Sequence, residues 1–344
     1  MVNMLIHSRT LGRPLCLFLL LIGFNSSAEE RKALREIPPS PWNQTDGVQV
    51  VGISSSVDTI RQKAIWRAEE SNKPRPLLVA LHSWSGGFEQ EAGYAYLTEA
   101  VTRQWHFIHP DFRGMNQTPE ATCSDLVIRD ILDAVDWCQD HAQVDANRIY
   151  LVGASGGGMA ALMMAGRAPE IWAGVSSWVP ITDLYLWHAE TKERGLRYTR
   201  MIEASCGGTP YSKTETYQQY RTRSPIHHLH QAKSVAVDIN AGILDGHTGS
   251  VPIGHAIRAY NVLAKPEDQL SEGIIRHLEA VPQIPESMKK PLENDPLYGE
   301  KSPLWRQQSG QVRLTLFDGG HEIIVAAAMD WLSRQSRKTG APSP

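Results

Sequence analysis

Four cysteines in 344 residues are too few for a disulfide scaffold. The apolar run at 15–24 falls well short of the roughly 20 residues that cross a bilayer as a helix, so a retained membrane anchor is not expected. Charge of one sign is also missing: Lys and Arg total 34 against 37 Asp and Glu, for a net charge of -3 with both signs well mixed. No basic stripe is therefore available to neutralise a row of phosphates, and nucleic acid is not an expected partner. There is no G-x-G-x-x-G fingerprint, no Gly-rich phosphate loop and no internal repeat, which argues against a nucleotide cofactor and a solenoid. What remains is ordinary globular composition, 42% apolar and 21% charged, enough for one large domain or two small ones.

The first 28 residues differ from the rest. His7, Arg9 and Arg13 precede the apolar run, and Ser26-Ser27-Ala28 follows it, which is the layout of a signal peptide cleaved after Ala28. The expected product is secreted or periplasmic, free of the membrane after cleavage, and more acidic by the two arginines removed. Cys16 would leave with the leader, and Cys123, Cys138 and Cys206 would remain where disulfides are permitted. Cys138 falls within an amphipathic helical pattern (Ile128, Ile131, Leu132, Val135, Trp137) and reads as a buried thiol. Cys123 and Cys206 lie in Gly- and Ser-rich connections, where a bridge between them and two isolated thiols both fit.

Residues 29–46 read as a linker and 47–337 as the main domain. Short β-branched runs there alternate with helical patterns, as expected for an α/β domain with a mostly parallel sheet covered by helices on both faces. Strands are predicted at 48–53, 61–67, 76–82, 105–110, 148–153, 172–179, 235–244 and 312–317, and helices at 90–103, 124–141, 156–166, 253–263 and 322–333. The stretch 182–230, rich in Tyr, Arg, Thr and Gln, interrupts the alternation and reads as a cap. Residues 264–311 carry Pro266, Pro282, Pro285, Pro291, Pro296 and Pro303 and are too long for a plain connection, so a lid or rim element is expected. The tail at 338–344 reads as disordered.

The strongest local signal is Gly153-Ala154-Ser155-Gly156-Gly157. It satisfies G-x-S-x-G at the point where a buried strand hands over to a helix of small residues, so a serine there projects Oγ above the carboxyl edge of a sheet. A serine hydroxyl needs a base to take its proton, and that base needs an orienting acid, in the chain order Ser, acid, His. His321 follows the last predicted strand within Phe317-Asp318-Gly319-Gly320, and Asp245 ends the preceding one. Asp238 lies inside its strand and Asp318 only three residues before the histidine, so position favours Asp245. His247 and Glu322 are available for supporting roles.

The oxyanion formed on attack needs preorganised N–H donors. Gly156 is expected to supply one, and the loop His82-Ser83-Trp84-Ser85-Gly86-Gly87 the other, from Trp84 or alternatively Ser83; these two residues are also the candidates for substrate contact. The Trp84 ring fits either an acyl-pocket wall or core packing. His227, His228 and His230 lack a Cys or acid partner at metal-ligand spacing and read as structural. No metal or organic cofactor is called for by this chemistry.

Asp111-Phe112-Arg113-Gly114, Val144-Asp145 with Arg148-Ile149, the run 153–158, Ser224-Pro225 and Val251-Pro252 together resemble the catalytic domain of prolyl oligopeptidase-type serine peptidases, across about 77–332. The resemblance implies an α/β-hydrolase fold with catalytic roles for Ser155, Asp245 and His321. Two features depart from the family. The stretch between leader and first strand is far too short for the β-propeller that gates those peptidases, and the loop from Asp245 to Val251 is longer than usual. Stand-alone domains of this type are often esterases, some acting on polysaccharides. The expected function is therefore a secreted serine hydrolase cleaving a small-molecule or carbohydrate acyl ester. A serine peptidase is the alternative, and a non-catalytic binding protein of the same fold the second. The sequence is silent on oligomeric state.

Overall fold

The computed structural model describes residues 41–337. The leader and its cleavage site, most of the stretch read as a linker, and the tail lie outside the described residues.

The core is one nine-stranded sheet in the order β1-β2-β4-β3-β5-β6-β7-β9-β8. Its strands are β1 Gln49–Ser54, β2 Arg61–Arg67, β3 Arg75–Leu81, β4 His106–Pro110, β5 Val144–Ala154, β6 Gly174–Trp178, β7 Val237–Gly242, β8 Pro303–Ser309 and β9 Val312–Phe317. The centre is parallel from β4 through β9, while β1, β2 and β8 pair antiparallel at the edges. The helices are α1 Gly93–Thr102, α2 Asp125–His141, α3 Gly156–Arg167, α4 Leu184–Glu193, α5 Tyr198–Cys206, α6 Thr214–Thr222, α7 Gly254–Leu263, α8 Glu272–Ala280 and α9 Val325–Ser333. This is an α/β-hydrolase architecture.

Strand alternation distributes side chains to two cores. Leu77, Val79, Leu81, Ile149 and Leu151 point to the face covered by α2, α3 and α7. Leu78, Ala80, Tyr150 and Val152 point to the opposite face, under α1 and α9. Helix α3 is buried all round up to Arg167, which is why its sequence is almost wholly small and apolar.

Several sequence expectations change. Trp42, inside the stretch read as a linker, is fully buried and donates its indole N–H to Glu89 O at 3.0 Å. The Pro-rich segment contains a helix, α8, and an edge strand, β8. Part of it, including Ile284 and Leu304, walls a cleft of about 620 Å³ together with Ile243 and Leu244. Cys123 and Cys206 are free thiols, buried like Cys138, and burial pushes each of the two up to about 12. Of the histidine trio, His228 bonds the Thr222 carbonyl, and among the described residues no group of three or more Cys, His, Asp or Glu could hold a metal.

Two buried polar groups anchor β4 and the turn after it. Arg113, at positive φ in the turn, binds Asp130 of α2 at 2.5 Å and Asp58 at 2.7 Å with a side chain only 5% exposed. Removing one partner of a buried ion set costs about 3–5 kcal/mol, so this turn is locked to α2. His109 donates Nδ1–H to Phe88 O at 2.8 Å, and its Nε2 is buried without a partner. Burial, aided by the neighbouring His82, pulls the ring pKa down to about 3. Because the folded value lies below the unfolded one of about 6.5, the unfolded state binds the extra proton, and stability is lost as pH falls through that window. Between pH 7 and 4.5 His109 is expected to remove about 2 kcal/mol. Urea midpoints at the two pH values should converge in His109→Gln relative to the parent; equal acid sensitivity would remove His109 as the cause.

Candidate active site

The strand order reverses between β3 and β5, since β4 lies outside β3 while β6 follows β5 on the other side. In doubly wound sheets ligands bind at the carboxyl ends of the strands at such a switch point. The two loops leaving that edge are 82–87 after β3 and the turn at Ser155 after β5.

Ser155 sits at φ 59°, ψ −119°, outside the regions an L-residue prefers. Such strain costs about 1–3 kcal/mol and persists where the surroundings over-determine it. Here they do: Ser155 N donates to Trp178 O at 2.9 Å, and Ser155 O accepts from Met159 N at 2.8 Å. The flanking glycines are steric necessities. A Cβ on Gly153 would come within 2.4 Å of the Gly157 backbone, and one on Gly157 within 2.4 Å of Leu81 O. The motif thus records three main-chain segments packed in direct contact.

Asp245 and His321 are brought together from adjacent strands. The ends of β7 and β9 pack without intervening side chains, a Cβ on Gly242 falling 2.2 Å from Gly320 O, and Leu244 N donates to Gly319 O. His321 Nδ1–H donates to Asp245 Oδ2 at 2.8 Å, while Asp245 Oδ1 accepts from Gly246 N at 3.0 Å. The carboxylate is 1% exposed and the imidazole 23%. That bond places the proton of a neutral ring on Nδ1 and leaves the Nε2 lone pair free to accept another. Asp238 is consumed elsewhere, holding Ser176, Asn240 and Arg313 in the core, and Asp318 is exposed. Glu322 accepts from Gly320 N at 3.0 Å and pairs with Lys301, bracing the histidine loop. His247 reaches the Leu278 carbonyl at 3.4 Å, away from this pair. Ser155 Oγ makes no hydrogen bond to His321 or to any other described residue; in unliganded hydrolases such contacts are often long.

In the loop after β3 the amides of Ser83 and Trp84 are differently engaged. Ser83 N is occupied, donating to Gln90 Oε1 at 2.7 Å, and Ser83 Oγ accepts from Gln90 Nε2 at 2.8 Å. The Ser83 amide is therefore not free to serve as an oxyanion donor. Trp84 N–H bonds no described residue, while Trp84 O is fixed by Asn116 through N and Nδ2. A Cβ on Gly156 would lie 2.4 Å from Trp84 N, so the Trp84 amide and the first turn of α3 share one small space. The Trp84 ring is 2% exposed and packs edge-on against Trp187 of α4 at 4.7 Å. It is a wall shared with the cap rather than an open pocket lining.

Sequence reasoning missed Gln90 and Asn116, which hold the loop 82–87, and Trp187, whose indole N–H donates to Ser250 O at 3.0 Å. Nothing in their local patterns marks them, since each acts across a gap of 7 to 63 residues.

With this geometry in place, the model of the prolyl oligopeptidase family matches residues 121–276, from the turn before α2 into α8. That stretch is a little under half of the chain, and over it the chain is similar to the family's catalytic domain. Among solved structures it is similar to the acylaminoacyl peptidase of Pyrococcus horikoshii, at 14% identity and TM-score 0.57 over 86% of this chain and 43% of that one. A puromycin-hydrolyzing peptidase of Mycobacterium tuberculosis gives 14% identity and TM-score 0.54, covering 84% of this chain and 38% of that one. Oligopeptidase B of Leishmania major gives 10% and 0.52, covering 83% and 35%. The chain spans less than half the length of these structures. No curated protein matches it.

Proposed function

We propose that the protein is a serine peptidase acting on short acylated peptides, with Ser155 as nucleophile, His321 as general base, Asp245 as the orienting acid, and the N–H groups of Gly156 and Trp84 as oxyanion donors. The observation that carries this reading is the 2.8 Å bond from His321 Nδ1 to the buried Asp245, on the edge that also carries a strained Ser155. An ester preference was expected from the shortness of the stretch before the first strand. The family match outweighs it, since that match and the similar structures all point to peptide bonds.

In the proposed cycle Ser155 Oγ closes on the substrate carbonyl as its proton passes to His321 Nε2. The tetrahedral oxygen is held by the two main-chain donors. Collapse breaks the C–N bond, the amine leaves with the proton from Nε2, and water hydrolyses the acyl-Ser155 ester by the same path in reverse. Asp245 stabilises the imidazolium without taking its proton.

The test pairs a fluorophosphonate probe with matched substrates, an acetyl-alanine p-nitroanilide and the corresponding p-nitrophenyl ester. Labelling of the parent and turnover of the anilide are expected. A protein that the probe does not label has no activated serine, which overturns the triad; a labelled protein that turns over only the ester overturns the peptidase assignment and restores the ester one.

A further inference from the structure

The turn joining α4 to α5 carries two arginines, Arg194 and Arg197, one on each flank of the proposed site. Arg194 Nη2 donates to Gly249 O at 2.7 Å and Nη1 to Ser250 O at 3.5 Å. Gly249 backs directly on the acid and base: a Cβ there would lie 2.2 Å from Asp245 Oδ1 and 2.6 Å from His321 Cβ. On the other flank Arg197 Nη2 reaches Ser85 Oγ at 3.3 Å. Ser85 follows Trp84, whose amide adjoins Gly156. One short turn of the cap therefore touches both the acid loop and the oxyanion loop.

The two arginines are differently employed. Arg194 spends its donors on backbone carbonyls and braces the acid loop. Arg197 is exposed, lies over the Tyr198 ring at 5.5 Å, and makes a single long bond to a neutral hydroxyl. Neither has a carboxylate of a described residue within salt-bridge distance, whereas Arg113, Arg129, Arg258 and Arg313 do. A guanidinium offers a planar fork of donors that matches a carboxylate bidentately, and an aromatic ring beneath it holds the plane.

We propose that Arg197 binds a carboxylate on the substrate and makes the enzyme selective for anionic acyl substrates. This rests on the hydrolase reading above and adds the charge of the substrate to it. The carboxylate can stand on the acyl side or on the leaving group, and the two are separated by experiment.

The full chain is assayed on three anilides: acetyl-alanine p-nitroanilide, succinyl-alanine p-nitroanilide, and the acetyl-alanine anilide of 5-amino-2-nitrobenzoic acid. The same acyl series as p-nitrophenyl esters serves if only esters turn over. One carboxylate-bearing substrate is expected to exceed the neutral one in kcat/KM by about ten-fold or more, the size of one charge-assisted contact. In Arg197→Gln the ratio of anionic to neutral kcat/KM should fall to about one; Arg197→Lys should restore part of it, and Arg194→Gln should leave the ratio standing. A parent without preference for either anionic substrate overturns the proposal, as does a preference that survives in Arg197→Gln. Fluorophosphonate labelling and turnover of the neutral substrate report on the hydrolase reading independently of charge.

Discussion

Alanine at position 155 is expected to lower kcat by about 10⁴- to 10⁶-fold and to abolish labelling by a fluorophosphonate, with the protein still folded. The size follows from what alanine removes. Without Oγ there is no acyl-enzyme, so His321 and Asp245 have no proton to move, and only the main-chain donors and substrate binding remain to favour direct attack by water. Because the three side chains act as a unit, His321→Ala should cost a similar factor, and the double variant little more than either single one. The local fold should survive, since the turn is held by Ser155 N to Trp178 O and by glycine packing, neither of which involves the hydroxyl. Measurement of kcat, labelling and urea midpoint on one preparation checks all three statements. Equal labelling of parent and variant would place the nucleophile elsewhere.

Asparagine at position 245 is expected to cost about 10⁴-fold in kcat near neutral pH, through the wrong imidazole tautomer. The carboxylate serves two donors, Gly246 N–H on Oδ1 and His321 Nδ1–H on Oδ2. An amide has one acceptor oxygen. The Gly246 N–H is a fixed donor and takes that oxygen, which turns the amide NH₂ toward Nδ1 and moves the ring proton to Nε2. A ring protonated there cannot accept the serine proton. The control is Asp318→Asn: that residue is exposed and only three positions from His321, yet the change should alter kcat by less than about two-fold, within the range of surface substitutions. If the two variants lose activity equally, the acid has been misassigned.

The legible parts of the molecule were those where a local pattern and a packing demand coincide. The glycines around Ser155 are demanded by contacts of 2.4 Å, so the motif is a direct trace of the fold. The central strands are buried on both faces and read as apolar runs, and α2 announces itself by an amphipathic stripe and by Ser124, whose side chain caps Val127 N. Edge strand β8 escaped because it begins at a proline and runs Leu-Trp-Arg-Gln-Gln-Ser, polar where one face meets solvent. Trp42 escaped because its burial depends on α1 and β4, far along the chain. The capture of the Ser83 amide by Gln90 and the free state of Cys123 and Cys206 depend on side-chain placement; neither leaves a mark in spacing.

Both proposed oxyanion donors are main-chain groups, set by the close approach of Trp84 N to Gly156. Their positions depend on the path of the backbone and on the absence of a side chain at 156, and not on which ring stands at 84 or which cation at 197. The proposed chemistry and the proposed selectivity are thus written in two separable alphabets, one of backbone trace and glycine, the other of cap side chains. A descendant of this chain could acquire a new diet by exchanging letters of the second while inheriting the first unread.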